Sequence, residues 1–286
     1  MPAIKHILFP FDFSAQGSQA VPFVRALATR LKARVTLFGV VPPTWEPPPA
    51  GMQPLVGDNP HEWTRALRDR LDDALVRELT EVRVERVADS GDLALRITAF
   101  AGTNSVDLIM MPTHGLGLFR SLLIGSVTAK VLHDARCPVW TAAHAETQRS
   151  RNLPQTVLCA VDGTPNSSPL LQWASGFCQG VGAQLTLLHV VRPITDWPSL
   201  ERERRLQDQV RQEAQGRIER IQKAAGVVAP LRVAVGEIVD TVTEEARHQN
   251  ADLVIAGRGS ISEPFGRLRT HAFGIVQRSP CPVLSV

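Results

Sequence analysis

The chain lacks most of the signatures that announce a particular chemistry. Its four cysteines, Cys137, Cys159, Cys178 and Cys281, form neither a CxxC pair nor a zinc-ligand spacing, which removes dithiol redox motifs and structural zinc. No HExxH pair occurs among the eight histidines, and GxxxxGK[ST] and GxSxG runs are both missing. Metalloproteases of that type, P-loop ATPases and nucleophile-elbow hydrolases are therefore disfavoured. No motif places a carboxylate pair for acid–base work, so no residue is assigned a catalytic or metal-binding role. Charge of one sign is absent too: +3 over 286 residues implies no general attraction to nucleic acid or membrane. No apolar run approaches the roughly 18 residues of a spanning helix, and the N-terminus enters a strand-like run without a signal-peptide layout. The expectation is a cytoplasmic protein. Cys137 and Cys281 precede prolines inside apolar runs and Cys159 lies within one, as buried reduced thiols would.

What is present is globular in composition, 44% hydrophobic and 21% charged, with length for about two domains. The two halves also repeat. Residues 156–164 (TVLCAVDGT) echo the first strand-like run and its terminal aspartate, and 184–191 (QLTLLHVV) echo 34–41 (RVTLFGVV). Asp252-Leu253-Val254-Ile255 repeats Asp107-Leu108-Ile109-Met110, and Cys281-Pro282-Val283 repeats Cys137-Pro138-Val139. The blocks keep their order, so the chain is a duplication. Residues 1–144 read as domain one, 145–154 as a polar linker and 155–286 as domain two.

Within the first half, 4–11 and 35–41 read as buried strands. Ala20, Phe23, Val24, Leu27 and Leu31 recur at helical spacing, with Pro22 tolerable only near a first turn. The proline-rich stretch 42–60 breaks regular structure and reads as a long loop, a lid or partner surface. Trp63, Leu67, Leu71, Leu75 and Leu79 then mark a helix, 82–87 a charged edge strand with Arg83, Glu85 and Arg86, and 93–101 another helix. In the second half, Leu206, Val210 and Ala214 share a helix face behind the charge run 201–205, a solvated surface. Strand and helix alternate in both halves. The fold class expected is α/β: two tandem doubly wound domains, each a five-stranded parallel sheet of order 3-2-1-4-5 with helices on both faces. In that order Asp12, closing strand one, and the loop after strand four face one crevice at the carboxyl ends.

That loop is the most informative stretch of the chain. The apolar run 106–111 feeds it, Gly115 and Gly117 lie in it, and Gly125 and Ser126 open a helix, with Ser126 a candidate N-cap. Glycines admit a ligand close to backbone N–H groups, and a helix N-terminus favours phosphate. An ordinary strand–loop–helix turn would use the same glycines. His114-Gly115, nine residues, then Gly125-Ser126 resembles the nucleotide loop of the universal stress protein family. Pro112 stands where the family has its first glycine. The run 131–139 (VLHDARCPV) resembles the family's last helix and strand.

The resemblance implies binding of ATP, or of AMP or ADP, with or without Mg2+. It assigns the base and ribose to Pro10, Asp12 and Val40, and the ribose and phosphates to Met111, His114, Gly115, Gly125, Ser126, Val127 and Thr128. Asp12 has a competing reading as the cap of the following turn, and His114 as a loop histidine without a role. Domain two matches less well. Asp162 and Gly259 fit and Thr270 can stand for the serine, but Ala256, Arg258 and Arg269 replace the first glycine, the histidine and the last glycine. A degenerate pocket is expected there, with arginine pairing to a different anion as the alternative. The role implied is regulatory binding in stress adaptation, any hydrolysis being slow. The rivals are a true nucleotide hydrolase or transferase, and a nucleotide-free pairing module. The apolar last strands, 139–142 and 283–286, are expected to pair the two domains, and a homodimer is a further expected partner arrangement.

Overall fold

The structure is a computed structural model that describes residues 4–43, 60–112, 124–142, 152–164, 167–194, 200–258 and 271–286. His114, Gly115, Gly259, Arg269, Thr270, most of the proline-rich stretch and most of the linker lie outside the described residues. The chain divides into two compact units, Ala3–Thr141 and Ala142–Val286.

In the first unit the elements run β1 (His6–Pro10), α1 (Ala15–Leu31), β2 (Arg34–Val41), α2 (Pro60–Asp73), β3 (Val84–Ser90), α3 (Leu93–Thr103), β4 (Leu108–Pro112), α4 (Ser126–Asp134) and β5 (Val139–Ala142). The strands lie in the order β3-β2-β1-β4-β5, and β1 pairs in parallel with both β2 and β4. The apolar runs form the central strands because both faces are covered: Ile7, Leu8, Phe9, Val35, Leu37, Leu108 and Ile109 are all inaccessible to solvent.

The second unit repeats the plan with β6 (Thr156–Ala160), α5 (Ser167–Val181), β7 (Gln184–Val191), α6 (Leu200–Ala225), β8 (Leu231–Val235), α7 (Ile238–His248), β9 (Leu253–Ala256), α8 (His271–Arg278) and β10 (Val283–Ser285). Its order, β8-β7-β6-β9-β10, is the same doubly wound arrangement. Val210 and Ala214 of α6 pack on Val191 and Val233, as the shared helix face predicts.

One device ties both sheets at the amino ends of their strands, away from the crevice. The Asp107 carboxylate accepts from the N–H groups of Lys5 (2.7 Å) and His6 (2.9 Å). Asp252 accepts in the same way from Gln155 (2.9 Å) and Thr156 (3.0 Å).

Three details differ from the periodicity. Pro22 lies well inside α1, beyond its first turn. The carbonyl it leaves without a donor, four residues back, belongs to exposed Ser18, where water can serve it. The leucine repeat overstates α2, which stops at Asp73 before Leu75 adopts φ 55°. Arg86 of β3 terminates it, donating to the carbonyls of Leu71 (2.7 Å) and Ala74 (3.0 Å). An arginine placed by sequence on a charged sheet edge is thus a helix C-cap.

None of the four cysteines forms a disulfide; Cys159, Cys178 and Cys281 are buried and Cys137 partly so. Burial pushes the Cys159 thiol far up and the Cys178 thiol to about 12. Among the described residues no helix is long and apolar enough to cross a membrane.

Candidate functional site

The crevice of the first unit is expected at the carboxyl ends of β1 and β4, where their hydrogen-bonded ladder ends early, and two prolines decide where that is. Register pairs join Ile7 to Leu108 and Leu8 to Ile109, and then the pairing stops. The N–H of Phe11 bonds the Phe38 carbonyl of β2 (2.9 Å), and that of Ile109 bonds Pro138 on the β5 side (3.0 Å). Strand alternation therefore turns the N–H positions of Pro10 and Pro112 toward each other's strand. Those two donors would make the next two rungs, and proline has neither. In the second unit the ladder continues through Cys159 with Ile255 and Ala160 with Ala256. The same register places Gly257, not Ala256, opposite Pro112, which corrects the alignment read from the loop spacing by one residue.

Asp12 and Pro10 stand on one lip of this opening. Asp12 Oδ1 accepts from Ser14 N–H (3.0 Å), the Asx turn that competed with a binding role. The two readings are compatible, because the other carboxylate oxygen has no hydrogen bond among the described residues. Ser14 is itself the N-cap of α1, its hydroxyl accepting from Gly17 N–H at 2.9 Å. Gly17 keeps the carboxylate accessible: a Cβ there would lie 3.0 Å from Asp12 Oδ1. Val40, half-buried, lies two residues beyond Phe38, the last residue of β2 paired with β1. Alternation turns its backbone groups to the β1 side, over the end of that strand.

The other lip is the end of β4 and the start of α4. Met111 is buried, and Gly125, not Ser126, occupies the N-cap position with φ −55° and no side-chain cap bond. That φ is open to any residue, so no backbone strain calls for glycine here. Ser126 is exposed at the first helical position, Val127 is half-buried and Thr128 is buried. The Thr128 hydroxyl donates to the Pro112 carbonyl (3.2 Å), pinning the helix start to the strand end. The structure thus brings Pro10, Asp12, Val40, Met111, Gly125, Ser126, Val127 and Thr128 to the carboxyl edge of one sheet. His114 and Gly115 lie outside the described residues.

The matching aspartate of the second unit is held by more donors, all of them on one oxygen. Asp162 Oδ1 accepts from Thr164 N–H (3.0 Å), the Thr164 hydroxyl (3.0 Å) and the Ser167 hydroxyl (2.6 Å). Partial burial raises its pKa, but these donors, Ser167 foremost, outweigh that and hold the carboxyl below its ordinary value. His189 is buried with Nδ1 2.8 Å from the Val161 carbonyl, so that nitrogen carries the proton. Arg258, proposed from sequence as an anion partner, is 5% exposed with its N–H on Val286 O (2.9 Å). The sequence reading missed Phe13 and Arg70. Arg70 of α2 stacks its guanidinium 4.3 Å from the centre of the Phe13 ring, immediately beside Asp12. The contrast of Asp12-Phe13 with Asp162-Gly163 was the available signal.

A carboxylate oxygen without a protein donor can accept from a base amino group. An uncapped helix N-terminus can receive an anion. The chain resembles several known proteins. A universal stress protein of Mycolicibacterium smegmatis is 26% identical over 204 residues, 68% of this chain and 66% of its own length, just under two thirds. The crystal structure of a universal stress protein from Archaeoglobus fulgidus superposes with a TM-score of 0.72 at 18% identity, covering 98% of this chain and 97% of that one. A universal stress protein solved in complex with cAMP is 27% identical, with a TM-score of 0.35, over 47% of this chain and 97% of its own. The model of the Universal stress protein family matches twice, over residues 3–142 and 154–286, and the chain belongs to that family as a tandem member.

Proposed function

We propose that the first unit binds one adenine nucleotide, ATP or its di- or monophosphate, and that the second unit binds none. The observation that carries this reading is the early end of the β1–β4 ladder at Pro10 and Pro112, with an Asp12 oxygen unengaged among the described residues on one side and the α4 N-terminus, without a side-chain cap, on the other. The adenine amino group donates to Asp12, the Val40 backbone flanks base and ribose, and the phosphates lie against His114, Gly115 and the residues 125–128. A Mg2+ ion would arrive with the phosphates, since no group of three His, Cys, Asp or Glu side chains among the described residues could hold a metal. No sequence motif assigns a general base for the γ-phosphate, and the role proposed is a regulatory sensor in stress adaptation with at most slow hydrolysis. In the cytoplasm such a sensor would report nucleotide state to a partner. The last strands, 139–142 and 283–286, are proposed to pair the two domains, and a homodimer would use the same kind of contact.

Calorimetric titration of the full chain with ATP tests the central claim. The expected stoichiometry is one nucleotide per chain. Two equal sites, or no heat at any concentration, would overturn it. Steady phosphate release well above a buffer blank would instead favour the hydrolase.

A further inference from the structure

The turn that carries the crevice aspartate is built twice in this chain, with different residues at its strained position. Gly163, after Asp162, has φ +74°, and Phe13, after Asp12, has φ +61°. Glycine adopts that left-handed conformation freely, whereas a bulky side chain is destabilised there by about 1–2 kcal/mol. The first unit therefore holds a strained residue beside its crevice where the second shows that glycine suffices. Strain of this kind persists only when surrounding contacts enforce it. Here they are visible: the Phe13 ring lies 4.9 Å from the Phe11 ring, and the Arg70 guanidinium stacks 4.3 Å from its centre. In the second unit a Cβ at position 163 would crowd Ile218 at 3.1 Å, His189 at 3.2 Å and Arg217 at 3.3 Å, so glycine is also the better fit there.

The donor count explains why only one copy needs the ring. Three donors on Oδ1 fix the Asp162 carboxylate in its turn. Among the described residues one donor holds Asp12, so its carboxylate is loosely held unless the backbone beneath it is rigid. We infer that Phe13, clamped between Phe11 and Arg70, is a positioning residue that fixes the Asp12 turn, aims its unengaged oxygen at the base and so sets selectivity for adenine over guanine. Adenine presents an amino group at the position where guanine presents a carbonyl, and a carboxylate accepts from the first and repels the second. The inference rests on the nucleotide reading of the first unit.

The test is titration of the full chain and its variants with ATP and with GTP, alongside melting temperatures and hydrogen exchange at Ser14. Phe13→Gly and Arg70→Gln should each weaken ATP binding about fivefold, the scale of a cation–π contact, with GTP binding little changed. The ATP-to-GTP preference should therefore fall, and Ser14 exchange should quicken without nucleotide. Arg70→Lys, which keeps a cation over the ring, should restore most of the preference. The double variant should be no worse than Phe13→Gly alone. If Phe13→Gly fails to fold, the half-exposed Arg70 variants decide the question. A preference that stays constant while the melting temperature falls would make the pair merely structural and overturn the inference while leaving the nucleotide site intact. A wild-type chain that binds neither nucleotide overturns the nucleotide reading and this inference with it.

Discussion

Asp12 and Asp162 close equivalent strands, sit in the same Asx turn and accept from the equivalent backbone N–H at the same 3.0 Å, yet among the described residues Asp162 Oδ1 takes two hydroxyl donors that Asp12 Oδ1 lacks. The difference lies in small neighbours. Gly17 stands in the first turn of the helix behind Asp12, whereas the equivalent position behind Asp162 is Ser167, whose hydroxyl bonds the carboxylate at 2.6 Å. Pro10 and Pro112 deny the β1–β4 ladder two rungs that the β6–β9 ladder continues to form. A carboxylate held by three donors of its own turn is fixed as a structural cap. The same carboxylate with two fewer donors, beside a ladder that ends early, is freer to meet a ligand. Pro112 thus changes meaning. Against the family pattern it is a departure that counts against binding; in the sheet it helps open the crevice.

The sharpest break of the comparison is at the helix that would meet phosphate. Gly125→Arg gives the first unit the residue that position 269 carries in the second, and should weaken ATP at least about 100-fold by filling the approach to the uncapped N-terminus. Arg269→Ala should leave ATP affinity unchanged, and titration of both variants checks the pair. Binding that survives Gly125→Arg would move the phosphates elsewhere.

Next in size are the carboxylates that tie the amino ends of the two sheets. Asp107→Ala strands two backbone donors and should destabilise the first unit by about 2 kcal/mol, and Asp252→Ala should do the same to the second. The buried Cys159 and Cys178 thiols make the second unit separately readable. Their alkylation should accelerate in Asp252→Ala and stay slow in Asp107→Ala. Equal acceleration in both would show that the units unfold as one.

A smaller change exchanges the aspartates' neighbours. Gly17→Ser imports the Ser167 hydroxyl onto Asp12 Oδ1 and should weaken ATP about threefold by drawing the carboxylate's charge into its own turn. Unaltered affinity would mean that donors on Oδ1 do not govern the oxygen that meets the base.

Much of this was legible in sequence, for reasons the residues make clear. Runs such as 106–111 could only be strands covered on both faces, and the repeated blocks fixed both the duplication and the strand order. Pro10, Asp12, Val40 and Gly125 could be placed on one sheet edge because topology alone puts them there. What stayed hidden depends on register and on partners distant in the chain. That Pro10 and Pro112 face each other requires knowing which way each missing N–H points, and a slip of one residue reverses it. Arg86 reads as an edge charge until the end of α2 lies beside it, and the leucine period runs on past Asp73 because burial continues where helix does not. Ser126 looked like the cap because serine favours that position, while the chain enters the helix one residue earlier. Phe13 and Arg70 are far apart in sequence, and no local pattern links them.

The smallest expected effect separates the units by pH. His6, 3% exposed, stands where the second unit has Thr156. Its Nδ1 is 3.0 Å from the Asn104 carbonyl and its Nε2 2.8 Å from the Thr36 hydroxyl. A carbonyl can only accept, so Nδ1 carries the proton and Nε2 accepts from Thr36. The Arg34 guanidinium, 3.0 Å from Nδ1, is then a neighbouring cation, not a hydrogen-bond partner of that nitrogen. Burial lowers the His6 pKa most; the Asn104 carbonyl opposes this, Arg34 adds to it, and Glu85 and Asp107 oppose it, leaving the value below the ordinary 6.5. Between that lowered value and 6.5 the unfolded chain binds a proton that the folded chain refuses, so stability rises with pH across the window. The contribution is complete above 6.5 and is lost as pH falls through the folded value. The first unit should therefore melt a few degrees lower at mildly acidic pH, while thiol protection in the second stays level. His6→Thr, borrowing the second unit's residue, should cost some stability at neutral pH and flatten the slope. A slope that persists unchanged in His6→Thr would assign the proton to another group.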